Sequence, residues 1–150
     1  MIAAIAAGAS VVAAYACQLD APRAITLDGD RATASAIGLP PAALQFTLTI
    51  EYGNPMQTKV DWPGDPLTMA GKFPTIATAP GAYAFSAYSG GPCMFTEQAC
   101  LSQFNVVEAA GGTARLIVQP VALTSDQKAG TRNPFAVVAT GTCTRTDAKK

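Results

Sequence analysis

Gln45-Phe46-Thr47-Leu48-Thr49-Ile50-Glu51-Tyr52 alternates from end to end. Phe46, Leu48, Ile50 and Tyr52 fall on one side, and Gln45, Thr47, Thr49 and Glu51 on the other. A period of two over this length predicts a half-buried strand with one wet face. Gly53-Asn54-Pro55 ends it. This stretch decides the fold class, because the text on both sides of it reads the same way.

Upstream, Ala24–Leu27 and Arg31–Ile37 flank Asp28-Gly29-Asp30, and Asp-Gly between extended runs is a hairpin signal. Downstream, Thr58–Trp62 is a short candidate strand stopped by Pro63-Gly64-Asp65-Pro66, and a further short run spans Pro66–Ala70. Ala82–Tyr88 alternates again, with Tyr83, Phe85 and Ala87 on one face. Phe104–Glu108 and Thr113–Leu123 flank Ala109-Ala110-Gly111-Gly112, the spacing of a hairpin with a four-residue loop. Pro120 in the second arm predicts an edge position or a bulge, since proline cannot donate to the ladder. In the last run Phe135, Val137, Ala139, Gly141 and Cys143 share one face, and Thr140, Thr142 and Thr144 the other. The segment Ala79-Pro80-Gly81-Ala82-Tyr83-Ala84-Phe85 resembles the start of a late strand in immunoglobulin-like sandwiches, where a glycine precedes a corner-forming tyrosine.

The expectation is an all-β chain: an antiparallel β-sandwich, immunoglobulin-like in one version, or a small barrel of seven to nine strands. No linker divides it, and 150 residues suit one domain. The expected organisation is a leader at 1–16, a β domain at 17–144 and a mobile polar tail at 145–150. Charged residues make up only 13%, ten basic against ten acidic, so the chain offers no electrostatic footprint for nucleic acid. With 49% hydrophobic residues it is not a disordered chain either. Histidine is absent, which excludes Ser-His-Asp, Cys-His and His-metal sites by inventory.

Residues 2–16 carry no charge and are too short for a comfortable membrane span. Their length suits the apolar core of a secretory signal, and Ala14-Tyr15-Ala16 is an A-x-A cleavage pattern, although no Lys or Arg precedes the run. The competing reading is a docked helix with Ile2, Ile5, Ala9, Val12 and Ala16 along one stripe. Cys17 follows directly, and Ala14-Tyr15-Ala16-Cys17 resembles the lipobox of bacterial lipoproteins, which would make Cys17 a lipidated first residue. Cysteine arithmetic supplies the other account. Cys17, Cys93, Cys100 and Cys143 form an even set in an exported chain, with Cys93–Cys100 closing a small loop and Cys17–Cys143 tying the ends. Zinc is not expected, because no C-x-x-C pair is present.

Asp28 with Asp30, and Asp61 with Asp65, are the tight carboxylate groupings. They lack the pattern of a calcium loop and read as turn residues. Ser89 in Tyr88-Ser89-Gly90-Gly91 is not a nucleophile elbow; a Ser-Lys arrangement would need Lys59, Lys72 or Lys128 beside it. The segment 83–100 has the best claim to binding, with Tyr88, Met94 and Phe95 as anchors near a disulfide and Trp62 as a further candidate. Buried core is the competing reading for all of them. No cofactor, metal or catalytic residue is expected. The leading functional expectation is an exported, non-enzymatic protein of the periplasm, cell surface or medium, binding a protein or glycan surface or serving as a structural component. It would touch a membrane only through the leader or a lipid on Cys17. Two other readings stand beside it: an oligomerising assembly subunit of a filament, shell or virion that keeps its N-terminal helix, and a small carboxylate-dependent hydrolase.

Overall fold

The structure, a computed structural model, describes residues 10–28, 30–64, 71–93, 96–121 and 135–147, with the side chains of 27–28, 89–93, 96–100, 120–121 and 135–136 left out. Within it the chain forms one antiparallel sheet of ten strands. These are β1 (Val11–Leu19), β2 (Arg23–Asp28), β3 (Arg31–Ala36), β4 (Gln45–Glu51), β5 (Gln57–Asp61), β6 (Gly71–Ala79), β7 (Ala82–Cys93), β8 (Thr96–Ala109), β9 (Thr113–Val121) and β10 (Phe135–Arg145). Single 3-10 turns lie at Pro41–Leu44 and Ala110–Gly112.

Around the sheet the order runs β1-β4-β5-β6-β7-β8-β9-β10, and β10 pairs back onto β1. Eight strands therefore close into a barrel, and of the two expected architectures the small barrel is the one observed. The sandwich, and with it the immunoglobulin-like version, is not. Gly81 does make the sharp turn expected of it, at φ +73°, but Tyr83 then turns into the barrel. β2 and β3 form a projecting hairpin that continues the β1 edge of β10. The hairpin expected around Asp28-Gly29-Asp30 is observed, but Asp28 itself pairs with Arg31, so the two-residue turn falls at positions 29 and 30, one residue later than an Asp-Gly turn would. Pro120 lies beyond Val118, the last β9 residue paired with β10, so its missing donor falls on a locally unpaired edge.

The expected leader is the main correction. Residues 1–9 lie outside the described set, but Val11–Ala16 belong to β1, with Ala13 and Tyr15 fully buried. The Ala-rich composition suggests helix, yet Ala13, Tyr15, Cys17 and Leu19 fall on one side at period two. β4 on one flank and β10 on the other satisfy the backbone, and tertiary pairing overrides propensity. β6 has no counterpart among the expected strands, and the Pro66–Ala70 run lies outside the described residues. At the other end Arg145 closes β10, and the start of the expected tail is packed: Thr146 N–H donates to Ala14 O at 2.8 Å.

An eight-stranded barrel is just wide enough to be filled by side chains. Here the filling is aromatic. Trp62 stacks on Phe46 at 4.6 Å, Phe46 meets Phe104 at 6.2 Å, Phe104 stacks on Phe85 at 4.7 Å, and Phe85 reaches Phe73 at 6.5 Å. Leu48, Ile50, Val60, Val106, Leu116 and Val118 complete the core. Fully burying a side chain of this size contributes about 1.5–3 kcal/mol. At the β1/β10 seam Tyr15 and Leu19 add to the core on either side of the Cys17–Cys143 pair. Gly141 is required there, because a Cβ would lie 2.6 Å from Gln18 O.

Candidate functional site

Strand direction separates the two ends of the barrel. Tyr52–Met56, Pro80–Gly81 and Ala110–Gly112 make tight connections at one end. The β2–β3 hairpin, Pro41–Leu44, Trp62–Gly64 and the β7–β8 tip gather at the other. Trp62, Tyr88 and the strand ends at Cys93 and Thr96 are thereby brought to the same end. Their roles differ. Trp62 is core, 4% exposed, with its Nε1–H donating to Ala43 O at 3.1 Å. Tyr88 is 60% exposed at the rim, edge-on to Phe73 at 5.4 Å. Met94 and Phe95, and the side chains of Cys93 and Cys100, lie outside the described residues.

Cys17 and Cys143 face each other directly across β1 and β10 and form a disulfide, with Cα atoms 4.0 Å apart. Both are buried. The bridge uses the very sulfur that lipidation of Cys17 would need.

Over this seam, on the outer wall, lies a groove of about 570 Å³. Its walls follow from the register. In one row Thr144, Ala16, Thr47 and Asp61 lie side by side on β10, β1, β4 and β5. In the next row Thr142, Gln18 and Gln45 do the same. Ala16 is the gap in the first row: its methyl leaves open the space between Thr144 and Thr47, two strand spacings or roughly 10 Å apart. Ala42, Pro63 and Gly64 form the end wall.

That end wall is held from beneath. Trp62 anchors the segment through its stack on Phe46 and its bond to Ala43 O. Gly64 then packs so closely on the 3-10 turn that a Cβ would lie 2.4 Å from Ala42 O. With the disulfide under the floor, the groove is preformed. Its lining is more apolar than polar, with Ala16, Ala42, Phe46 and Pro63 set among threonine hydroxyls and glutamine amides, and Asp61 is the single charged group among the described residues. Gln18 Nε2–H donates to Leu19 O at 3.1 Å, which holds its amide in place.

The other end of the barrel holds an ionic clasp. Tyr15 Oη donates to Glu108 Oε1. Arg145 donates to Glu108 at 3.1 Å, to both Asp147 oxygens at 2.9 and 2.8 Å, and to Val12 O at 2.9 Å. Asp147 also accepts from Ala14 N–H at 2.8 Å. Burial and then the Glu108 hydrogen bond push the Tyr15 phenol well above its ordinary range. Burial raises Tyr83 too, with the Glu108 charge adding to it. The Arg145 hydrogen bonds hold the Asp147 carboxyl below its usual range. The guanidinium donates to four acceptors at once, so this cluster ties β1, β8 and the chain beyond β10 together.

The carboxylates singled out in the sequence do not form a pair within the described residues. Asp30 sits in the β2–β3 turn and Asp61 ends β5; the side chain of Asp28 and the whole of Asp65 lie outside the described set. Lys59 and Lys72 face each other across β5 and β6, with Lys72 bridged to Glu51 at 2.8 Å; the side chain of Ser89 and Lys128 are outside the described residues. No group of three His, Cys, Asp or Glu side chains gathers among the described residues. The sequence marks Asp61 as a carboxylate beside Asp65 and sets Gln45, Thr47, Thr142 and Thr144 on polar faces, but it gives no sign that these residues and Gln18 share one groove. No family model, curated protein or solved structure matches the chain. The class that fold and site define is thus a disulfide-closed antiparallel barrel with a preformed groove of mixed apolar and polar lining on its seam.

Proposed function

We propose that this chain is an exported protein that binds a partner without turning it over. One observation carries the reading: a preformed groove whose apolar floor is rimmed by hydroxyls, amides and one carboxylate, set over a seam closed by a disulfide. Disulfides persist in oxidising compartments, which supports a place in the periplasm, on the cell surface or in the medium. Glycoside hydrolysis uses two carboxyl groups flanking the scissile bond. Among the groove's described residues Asp61 alone supplies one, which supports binding over hydrolysis. The test is fractionation of the native host with thiols alkylated before lysis. The expected result is a chain outside the cytoplasm with Cys17 and Cys143 protected from alkylation; a cytosolic chain with both free removes the reading.

A second reading, the assembly subunit, draws support from a different wall. Ile76, Val107 and Ile117 are 68, 53 and 44% exposed on the outer faces of β6, β8 and β9. Light scattering on the purified chain separates the two: concentration-dependent oligomers abolished by Ile117→Lys support assembly, and a monomer at all concentrations removes it.

A further inference from the structure

We infer that the groove over the seam is a subsite for an uncharged carbohydrate, the chemical class that its donors, acceptors and shape select. The inference rests on the binding reading above and specifies its ligand.

Charge comes first. The groove's described lining holds no Lys or Arg, and its one ionised group, Asp61, is negative. Phosphate, sulfate and carboxylate ligands need cationic or clustered N–H donors, and here they would meet a like charge. Anionic polysaccharides, nucleic acids and acidic peptides are therefore poor matches. A neutral ligand rich in hydroxyls is a good one. A carboxylate accepts from neighbouring O–H groups, side-chain amides both donate and accept, and threonine hydroxyls rotate to do either.

Sheet topology then argues against a peptide. Extended peptides gain most of their affinity by adding a strand to an unpaired edge. At the groove, β1 lies between β10 and β4, and β4 between β1 and β5, so the rows Thr144-Ala16-Thr47-Asp61 and Thr142-Gln18-Gln45 cross paired strands. Closing a barrel removes the edge such a peptide would need.

Shape agrees. The gap over Ala16 has a methyl floor, with Ala42, Pro63 and Gly64 at its end. A sugar ring has apolar C–H faces and a rim of hydroxyls. It can rest a face on that floor while its rim reaches Gln18 and Thr142 in one row and Thr47 and Thr144 in the other, and Asp61, one strand beyond Thr47, meets the next ring of an oligosaccharide. Trp62 lies beneath the wall and Phe46, though it borders the groove, is buried, so among the described residues no aromatic face opens onto it, and binding is weak and fast.

The experiment is a titration of the intact, oxidised chain followed by 1H–15N correlation spectra. The probes are cellopentaose, maltopentaose and a neutral galactomannan oligosaccharide. A heparin oligosaccharide and an uncharged Ser/Ala peptide serve as contrasts. The expected result is that at least one neutral oligosaccharide shifts the amides of Ala16, Gln18, Gln45, Thr47, Thr142 and Thr144, leaving those of Ile76, Val107 and Ile117 in place. Ala16→Phe, on an exposed position, fills the gap and abolishes the shifts. Asp61→Asn weakens binding about tenfold, the order expected for one hydrogen bond to a charged acceptor. Unchanged melting temperatures for both variants keep folding out of the result. The inference is overturned if no neutral oligosaccharide moves the groove amides, if heparin or the peptide moves them instead, or if Ala16→Phe binds like the parent chain. These outcomes leave the export test untouched, and a cytosolic, reduced chain would not alter the titration.

Discussion

Replacing both Cys17 and Cys143 by alanine removes the one covalent tie across the seam without leaving a lone thiol in the core. The bridge spans 126 residues of chain. The chain-entropy relation gives a contribution of about 5 kcal/mol at 25 °C for a loop of that length, acting mainly by limiting the unfolded ensemble. Both side chains are nearly fully buried, and alanine fills most of their volume, so little cavity cost is added. The assay is equilibrium urea unfolding of parent and double variant under non-reducing conditions. Cys93 and Cys100 stay as they are, which a reductant would not ensure. The expected outcome is a loss of about 5 kcal/mol with a larger m-value, because the unfolded chain expands once the tie is gone. In a thermal scan this is a fall of about 10–20 °C for a domain of this size. A loss below about 1 kcal/mol, against the usual range of about 2–4, would refute the reasoning: the seam would then not join these two positions, or the unfolded chain would hold them together without the bond.

Gly141→Val sets a side chain against Gln18 O and forces β1 away from β10; the expected cost is about 1–3 kcal/mol or more, read in the same urea experiment, and a neutral result refutes the close approach. A chain beginning at Cys17 loses Val11–Ala16 and with them most of the β1 pairs to β4; it is expected to lack native near-ultraviolet dichroism, so N-terminal sequencing of native material should find no start at Cys17. Stability should fall on both flanks of pH. Asp147, held low by Arg145, stabilises fully above the ordinary carboxylate range and loses its contribution as pH falls through its folded value. Tyr15, raised by burial, stabilises fully below about pH 10 and loses its contribution as the medium turns more alkaline. Asp147→Asn should flatten the acid slope and Tyr15→Phe the alkaline one; slopes unchanged by these variants refute the assignments.

The strands that alternate between large apolar and polar residues were legible: β4, the β2–β3 hairpin and the inward face of β10 from Val137 onward lie where the pattern sets them, except that Tyr52, expected on the inner face, falls past the end of β4 and is exposed. β1 was not, because Ser10-Val11-Val12-Ala13-Ala14 reads as well at helical spacing as at period two, and only β4 and β10 on its flanks decide between them. Closure was illegible for a related reason. Period two says which face a residue occupies and not which strand lies next, so sandwich and barrel share one pattern. The groove depends on that missing information. Thr47, Gln18 and Thr142 are unremarkable outward residues until the register lays three separate strands edge to edge.

The pairing of β10 with β1 gives the chain a particular order of events. Its earliest strand acquires one neighbour while the polypeptide is still growing, but the second arrives only with residues 141–145. Until then the apolar lining faces outward through an unsealed slot. A protein emerging through a translocation pore end-first would stay open until its final stretch cleared the channel, and oxidation of the cysteine pair would mark that moment.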